Sequence, residues 1–173
     1  AKKVIERNRL AIKPQWTDLK DVKTDRSLGL ERPELFKNLG NEEVKLVSEF
    51  PNIDKLALTD AIKSRRSTRK YSSKFLSFEE VSYLLYETSR IEFVKSNAAF
   101  RTIPTGGATN PMETYVFINR VDDIESGLYH YIQDKHSIEL IEKEESLKER
   151  VHKSILHQLR DANIIVYFTA VPY

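Results

Sequence analysis

The densest chemistry in the chain lies in twelve residues. Lys63-Ser64-Arg65-Arg66-Ser67-Thr68-Arg69-Lys70-Tyr71-Ser72-Ser73-Lys74 carries six cations and no acid. The net charge of the whole protein is only +2, so the rest of the chain sums to −4. A basic knot on a mildly acidic protein points to a local anionic ligand and argues against a surface built for nucleic acid. Arginine suits phosphate because its planar fork makes two parallel charge-assisted hydrogen bonds and its charge does not titrate away. Arg65, Ser67 and Arg69 alternate, so a chain leaving a helix in extended form would aim them at one ligand. Taken alone, so short a motif reads more readily as a solvated helix end, where cations complement the macrodipole.

The second chemical segment is Pro104-Thr105-Gly106-Gly107-Ala108-Thr109-Asn110-Pro111. Adjacent glycines allow positive φ and let a backbone N–H approach a flat ring or a carbonyl. Thr105 and Asn110 supply polar groups for the heteroatoms of such a ring. Gly-Gly by itself equally suits an ordinary turn before a strand. The segment is not a phosphate-binding loop of the Gly-Lys-Ser/Thr type, and Gly-x-Gly-x-x-Gly occurs nowhere. His152 and His157 are five apart, off the spacing that brings two helical ligands to one metal. His130 and His136 flank a predicted hairpin turn, and packing or surface roles are expected for both, with no metal. No serine, histidine and aspartate form a local nucleophilic set, so no catalytic residue is assigned. The absence of cysteine excludes disulfides, thiol nucleophiles and thiolate metal sites.

These segments need elements to hold them. Leu58 and Ile62, with Ala57 and Ala61, predict a helix from Leu56 to about Arg66 that presents the basic knot at its C-terminal end. Ser77 with Glu80 forms a capping box, and Val81, Leu84, Leu85 and Thr88 fall on one face of the helix that follows. Residues 92–103 read as a ragged connection. Thr114–Ile118, Gly127–Ile132 and Ser137–Ile141 are β-branched and aromatic runs separated by Asp122-Asp123 and Asp134-Lys135, hence three strands. Tyr115 and Phe117 share one face of their strand, as do Tyr129 and Tyr131 of theirs, and core packing is expected of them. Residues 145–160 carry Leu147, Val151, Ile155 and Leu159 on one stripe, a charged helix. Ile164–Val171 is an apolar run that reads as a buried strand. The order predicts an α+β fold, a mainly antiparallel sheet flanked by helices.

At 173 residues, 40% hydrophobic and 31% charged, the chain has the composition of a globular protein with one substantial core. No apolar run approaches the roughly 20 residues of a membrane span, and no secretory pattern opens the chain. A cytoplasmic protein without a membrane partner is expected. Residues 1–50 mix charges with scattered apolar residues around Pro14, Gly29, Pro33 and Gly40 and read as an irregular arm with short helical pieces, including an amphipathic one over Val4, Ile5, Leu10 and Ile12. Residues 51–173 read as the functional domain. A chain that starts at Ala1 and stops after a buried strand is expected to be a piece of a longer protein.

Five spaced blocks then carry a resemblance. Arg65-Arg66-Ser67-Thr68-Arg69, the Ser-capped helix with Leu84-Leu85-Tyr86, Arg101–Ala108, Asn110-Pro111-Met112-Glu113 and Gly127-Leu128-Tyr129-His130-Tyr131 together resemble the nitroreductase superfamily. The last block and the upstream Gly29–Phe36 are similar to its SagB-type dehydrogenase branch, which includes azoline oxidases acting on peptides. The resemblance runs over roughly residues 27–171 and displaces the solvated-helix-end reading of the basic knot.

The resemblance implies an FMN-dependent homodimeric oxidoreductase with flavin at the subunit interface and hydride transfer through N5. By position, Arg65, Arg66, Ser67 and Arg69 would hold the FMN phosphate, ribityl chain and pyrimidine side. Pro104, Thr105, Gly106 and Asn110 would line the isoalloxazine from the partner subunit. An azoline-containing peptide, a quinone or a nitro compound is the implied substrate, and NAD(P)H a candidate donor. Flavin destruction of the kind that makes the lower ligand of cobalamin fits the Gly-Leu-Tyr-His-Tyr block less well. Two departures stand out: Thr105 where the branch more often has serine, and the family's C-terminal third, which this sequence lacks. The alternative from another class is a flavin-free scaffold whose basic cluster binds an anionic partner.

Overall fold

The computed structural model of the protein describes residues 28–32, 34–96, 98–105, 110–158 and 161–170. The chain divides at Pro33 and Glu34; before that point the described residues Leu28–Arg32 are exposed, with a turn at Leu28 and Gly29. In the larger unit, Glu34–Pro172, the order is β1 (Glu43–Lys45), α1 (Leu58–Ser64), α2 (Phe78–Ser89), β2 (Ile91–Lys95), β3 (Ala98–Arg101), β4 (Met112–Ile118), β5 (Gly127–Ile132), β6 (Ser137–Glu142), α3 (Leu147–Ser154) and β7 (Ile164–Ala170). The helix predicted around Val4–Ile12 lies outside the described residues.

The apolar runs of the sequence pair with one another. Five strands form an antiparallel sheet in the order β1-β6-β5-β4-β7. The longest pairing is β4 with β7, from Met112 opposite Ala170 to Ile118 opposite Ile164. Because side chains alternate across a strand, β4 serves two cores. Val116 and Ile118 point with Tyr129, Tyr131 and Ile138 to one face, where Val81 and Leu85 of α2 seal them. Phe117 points to the other and packs with Ile165 and with Leu147 and Val151 of α3. The tyrosines of β5 therefore pack as expected. Gly127 opens β5 where no side chain fits, since a Cβ there would sit 2.9 Å from the Glu142 carbonyl.

The Ser77 box forms as expected. Ser77 Oγ accepts the Glu80 N–H at 3.1 Å, and Glu80 Oε2 accepts the Ser77 N–H at 2.7 Å. Replacing Ser77 by alanine is expected to cost about 1 kcal/mol of stability in chemical denaturation; a change within experimental error would mean that tertiary packing alone defines the start of α2.

The structure corrects two elements. Residues 92–103 are no ragged connection: β2 and β3 form a separate antiparallel hairpin, with Phe93 and Phe100 stacked across it at a centroid distance of 4.5 Å. The predicted helix over 145–160 stops at Ser154. Leu156 takes a positive φ of 53°, its N–H bonds the Lys153 carbonyl, and the His157 N–H bonds the His152 carbonyl. That pairing is a Schellman close, here built without glycine. A further strand, β1, adds an edge beside β6. Among the described residues, no helix is long and apolar enough to cross a membrane.

Candidate functional site

The basic segment leaves α1 and returns to the sheet with both ends anchored. At its start the Arg65 N–H bonds the Ala61 carbonyl at 3.0 Å, closing the helix. At its end Arg120, just past β4, donates to the Ser72 carbonyl at 3.2 Å and to Asn163 Oδ1 at 2.9 Å, while Asn163 donates to the Lys74 carbonyl at 2.7 Å. Between these anchors every residue from Ile62 to Phe75 is exposed. Arg65 Nη1 lies 3.5 Å from Ser67 Oγ, so two of the predicted phosphate ligands meet. Arg66 turns back to donate to the Lys63 and Arg65 carbonyls at 3.0 and 2.9 Å. Arg69 stands exposed beyond them. Among the described residues no carboxylate pairs with any of these arginines, which leaves their charge available to an anion.

In the second segment the described residues Thr105 and Asn110 are held by side-chain bonds. Asn110 is buried, with a φ of 45°, a left-handed conformation that asparagine tolerates better than most residues. Thr105 Oγ1 donates to Asn110 Oδ1 at 3.1 Å and accepts the Asn110 N–H at 3.4 Å, and Asn110 Nδ2 donates to the Ala99 carbonyl of β3. Thr105 and Asn110 are thus tied to each other and to β3. Pro104 precedes them on the surface, and Gly106, predicted beside the ring, lies outside the described residues. Thr105 and Asn110 are held by one another and by β3, and the basic segment by Arg120 and Asn163.

Thr105 also borders a cavity of about 220 Å³. Ile103, Met112 and Phe168 make its apolar walls, and Ser89, Thr114 and Arg101 its polar points. Ser89 Oγ and Thr114 Oγ1 are 3.0 Å apart and satisfy each other. Arg101 Nη1 donates to the Met112 carbonyl at 2.9 Å, but Arg101 Nε is buried without an acceptor among the described residues. Burial pushes the Arg101 pKa below the usual guanidinium value, and the negative charge of Glu113 opposes that. Arg101 stood in a recognised block of sequence without a role; an arginine directly before a glycine loop was the available signal.

The far face of β4 carries a cluster that sequence reasoning missed. His130 Nδ1 lies 2.7 Å from Glu139 Oε1, and its Nε2 lies 2.9 Å from Glu113 Oε2. The imidazole is 1% exposed and the Glu139 side chain 0%, so neither has water to fall back on. Glu139 also accepts the Leu39 N–H at 3.0 Å and the Asn41 N–H at 3.4 Å. Lys37 Nζ donates to Tyr115 Oη at 2.6 Å beside them. Strand alternation held the signal: His130 sits between Tyr129 and Tyr131 and must face away from them, toward Tyr115 and Glu139 across the sheet. Among the described residues no group of three or more histidines and carboxylates is arranged to hold a metal.

The nitroreductase family model matches residues 62–172, a span that includes both the basic segment and the loop. A Methanocaldococcus jannaschii protein assigned to the nitroreductases is 38% identical over 97 residues, 56% of this chain and 48% of that protein. Among solved structures, a nitroreductase-class protein from Anabaena variabilis superposes with a TM-score of 0.58 at 25% identity, over 75% of this chain and 27% of that one. Another, from Ralstonia eutropha, gives a TM-score of 0.47 at 22% identity, over 64% of this chain and 48% of that one. The chain therefore spans about half or less of the length of the relatives it matches.

Proposed function

The chain belongs to the nitroreductase family, and from that premise we propose that it serves an FMN-dependent oxidoreductase acting on a small or peptide-borne substrate. The observation that carries this reading is that one family match contains both the arginine segment, which no described carboxylate pairs, and the loop that holds Thr105 and Asn110. The donor set suits the cofactor. A phosphate dianion needs exposed cations with no carboxylate competing for them, and a flat ring needs a loop whose polar atoms are already fixed. FMN, when bound, supplies a two-electron carrier.

The chain's own residues bind and orient. Arg65 and Arg69 would hold the phosphate, with Ser67 adding a hydroxyl donor. Arg66, committed to two carbonyls, shapes the turn and contributes charge. Thr105 and Asn110, with Pro104 and Gly106, would form the wall of the ring site, contributed across a homodimer. The apolar walls of the cavity beside Thr105, from Ile103, Met112 and Phe168, would limit water near the ring. The substrate is an azoline ring in a peptide, as in the SagB-type branch, or a small acceptor such as a quinone or nitro compound, with NAD(P)H as donor in the latter case.

The test is the visible spectrum of the purified full-length protein, followed by denaturation and identification of the released chromophore. The expected result is a flavin spectrum and free FMN. A colourless protein that takes up no added FMN would overturn the proposal. The exposed basic segment would then read as the site of an anionic macromolecular partner, with affinity falling steeply as salt is raised.

A further inference from the structure

The phosphate-directed arginines sit on a stretch that the core does not hold. No side chain of α1 is buried, and every residue from Ile62 to Phe75 is exposed. The Arg65 and Arg66 side chains bond only within the stretch, to Ser67 Oγ and to the Lys63 and Arg65 carbonyls. Among the described residues, two hydrogen bonds reach Leu58–Lys74 from the rest of the fold. Arg120 Nη2 donates to the Ser72 carbonyl at 3.2 Å, and Asn163 Nδ2 donates to the Lys74 carbonyl at 2.7 Å.

These two donors form one clasp between the end of β4 and the loop before β7. Arg120 Nε and Nη2 both reach Asn163 Oδ1, at 3.1 and 2.9 Å, and Nη2 also donates to the Asp161 carbonyl. The Asn163 carbonyl accepts the Asn119 and Arg120 N–H groups at 2.8 and 3.1 Å, and Asn119 Nδ2 donates to the Ala162 carbonyl at 2.9 Å. The clasp is therefore built on backbone bonds that continue the β4–β7 pairing beyond Ile118 and Ile164. A planar arginine fork can meet Ser72, Asp161 and Asn163 together. Lysine would keep the charge but offers a point-like head on a flexible stem.

We propose that Arg120 and Asn163 are positioning residues for the phosphate-directed arginines. They fix the end of the exposed stretch to the rim of the sheet, so that Arg65, Ser67 and Arg69 meet a phosphate from a restrained segment. This rests on the flavin reading above. The physical basis is preorganisation: a segment already tied to the sheet has less freedom to lose when a ligand orders it. The Arg65 N–H on the Ala61 carbonyl joins the stretch to α1, which buries nothing itself, so the hold on the sheet comes through the clasp. Arg120 spends these donors on neutral oxygens. A variant that keeps its charge and loses its fork therefore separates positioning from attraction.

The test compares wild type, Arg120→Lys and Asn163→Ala in the full-length protein, below the unfolding temperature of each. Each is titrated with FMN and with riboflavin, which lacks the phosphate, at low and moderate salt. Nuclear magnetic resonance relaxation of the apoproteins reads backbone order from Ser67 to Ser72 and, for comparison, along β4. Both variants are expected to bind FMN roughly tenfold more weakly. Riboflavin should lose less, so the preference for FMN over riboflavin narrows. Arg120→Lys should keep the salt dependence of the wild type, because its charge is unchanged. Backbone order should fall in the segment and hold in β4. Wild-type FMN affinity in a folded variant, an equal loss for both flavins, or unchanged order in the segment would each overturn the proposal. A wild type that binds neither flavin would sink the flavin reading first, and the positioning role with it.

Discussion

Replacing Arg65 and Arg69 together by alanine is expected to lower the FMN affinity of the full-length protein roughly hundredfold while leaving its unfolding midpoint almost unchanged. Each charge-assisted hydrogen bond lost to a phosphate is worth about 1.5–3 kcal/mol. The segment is exposed from Ile62 to Phe75, so salt screens it and the lower end applies, about 3 kcal/mol for the pair. The fold does not depend on these side chains. Neither forms an ion pair among the described residues, and the segment is anchored instead by Arg120 and Asn163 on backbone carbonyls. Substitutions at such surface positions usually fall within about 0.5 kcal/mol. Titrating apoprotein with FMN at low and moderate salt checks both halves. The affinity loss should shrink as salt rises, because the wild type loses the same attraction to screening. Undiminished FMN affinity would show that the phosphate lies elsewhere.

The difference between what could and could not be read in advance follows the range of the interactions. The start of α2 was legible because Ser77 and Glu80 satisfy each other three residues apart. The strands β4 to β7 were legible because β-branched runs have few other uses in a chain of this composition. The β2–β3 hairpin was not, since Ile91–Arg101 mixes charges with apolar residues and its stabilising contact, Phe93 on Phe100, exists only once the strands pair. The end of α3 was hidden because Leu156 takes the left-handed position that sequence reasoning reserves for glycine. At the candidate site, residue type was enough to single out the arginines and Thr105 with Asn110 as candidates, and the bond between Thr105 and Asn110 spans only five residues. The partners of His130 lie 17 residues before it and 9 after it. A rule that sends carboxylates to the surface then hides Glu139, although strand alternation would have placed it inward.

Truncating His130 to leucine is expected to destabilise the protein by about 3–5 kcal/mol at neutral pH, because it leaves Glu139 and Glu113 as buried or nearly buried anions without their donor. The pH dependence of that loss separates electrostatics from packing. The His130 pKa is raised in the folded protein, so its contribution is complete below the unfolded value of about 6.5 and fades as pH rises through the folded pKa. Glu139 is shifted the other way: burial pushes its pKa up, but the His130 bond and the Leu39 and Asn41 amides outweigh that and hold it below the ordinary carboxylate value. Its contribution is present above the unfolded pKa of about 4.3 and is lost as pH falls through the folded one. The difference in stability between wild type and His130→Leu should therefore trace a bell, high between the two pKa values and shrinking on either side. Urea denaturation across the pH range measures it directly. A loss of the same size at every pH would mean that His130 only fills space between the strands, and the charge pairing would carry no stability.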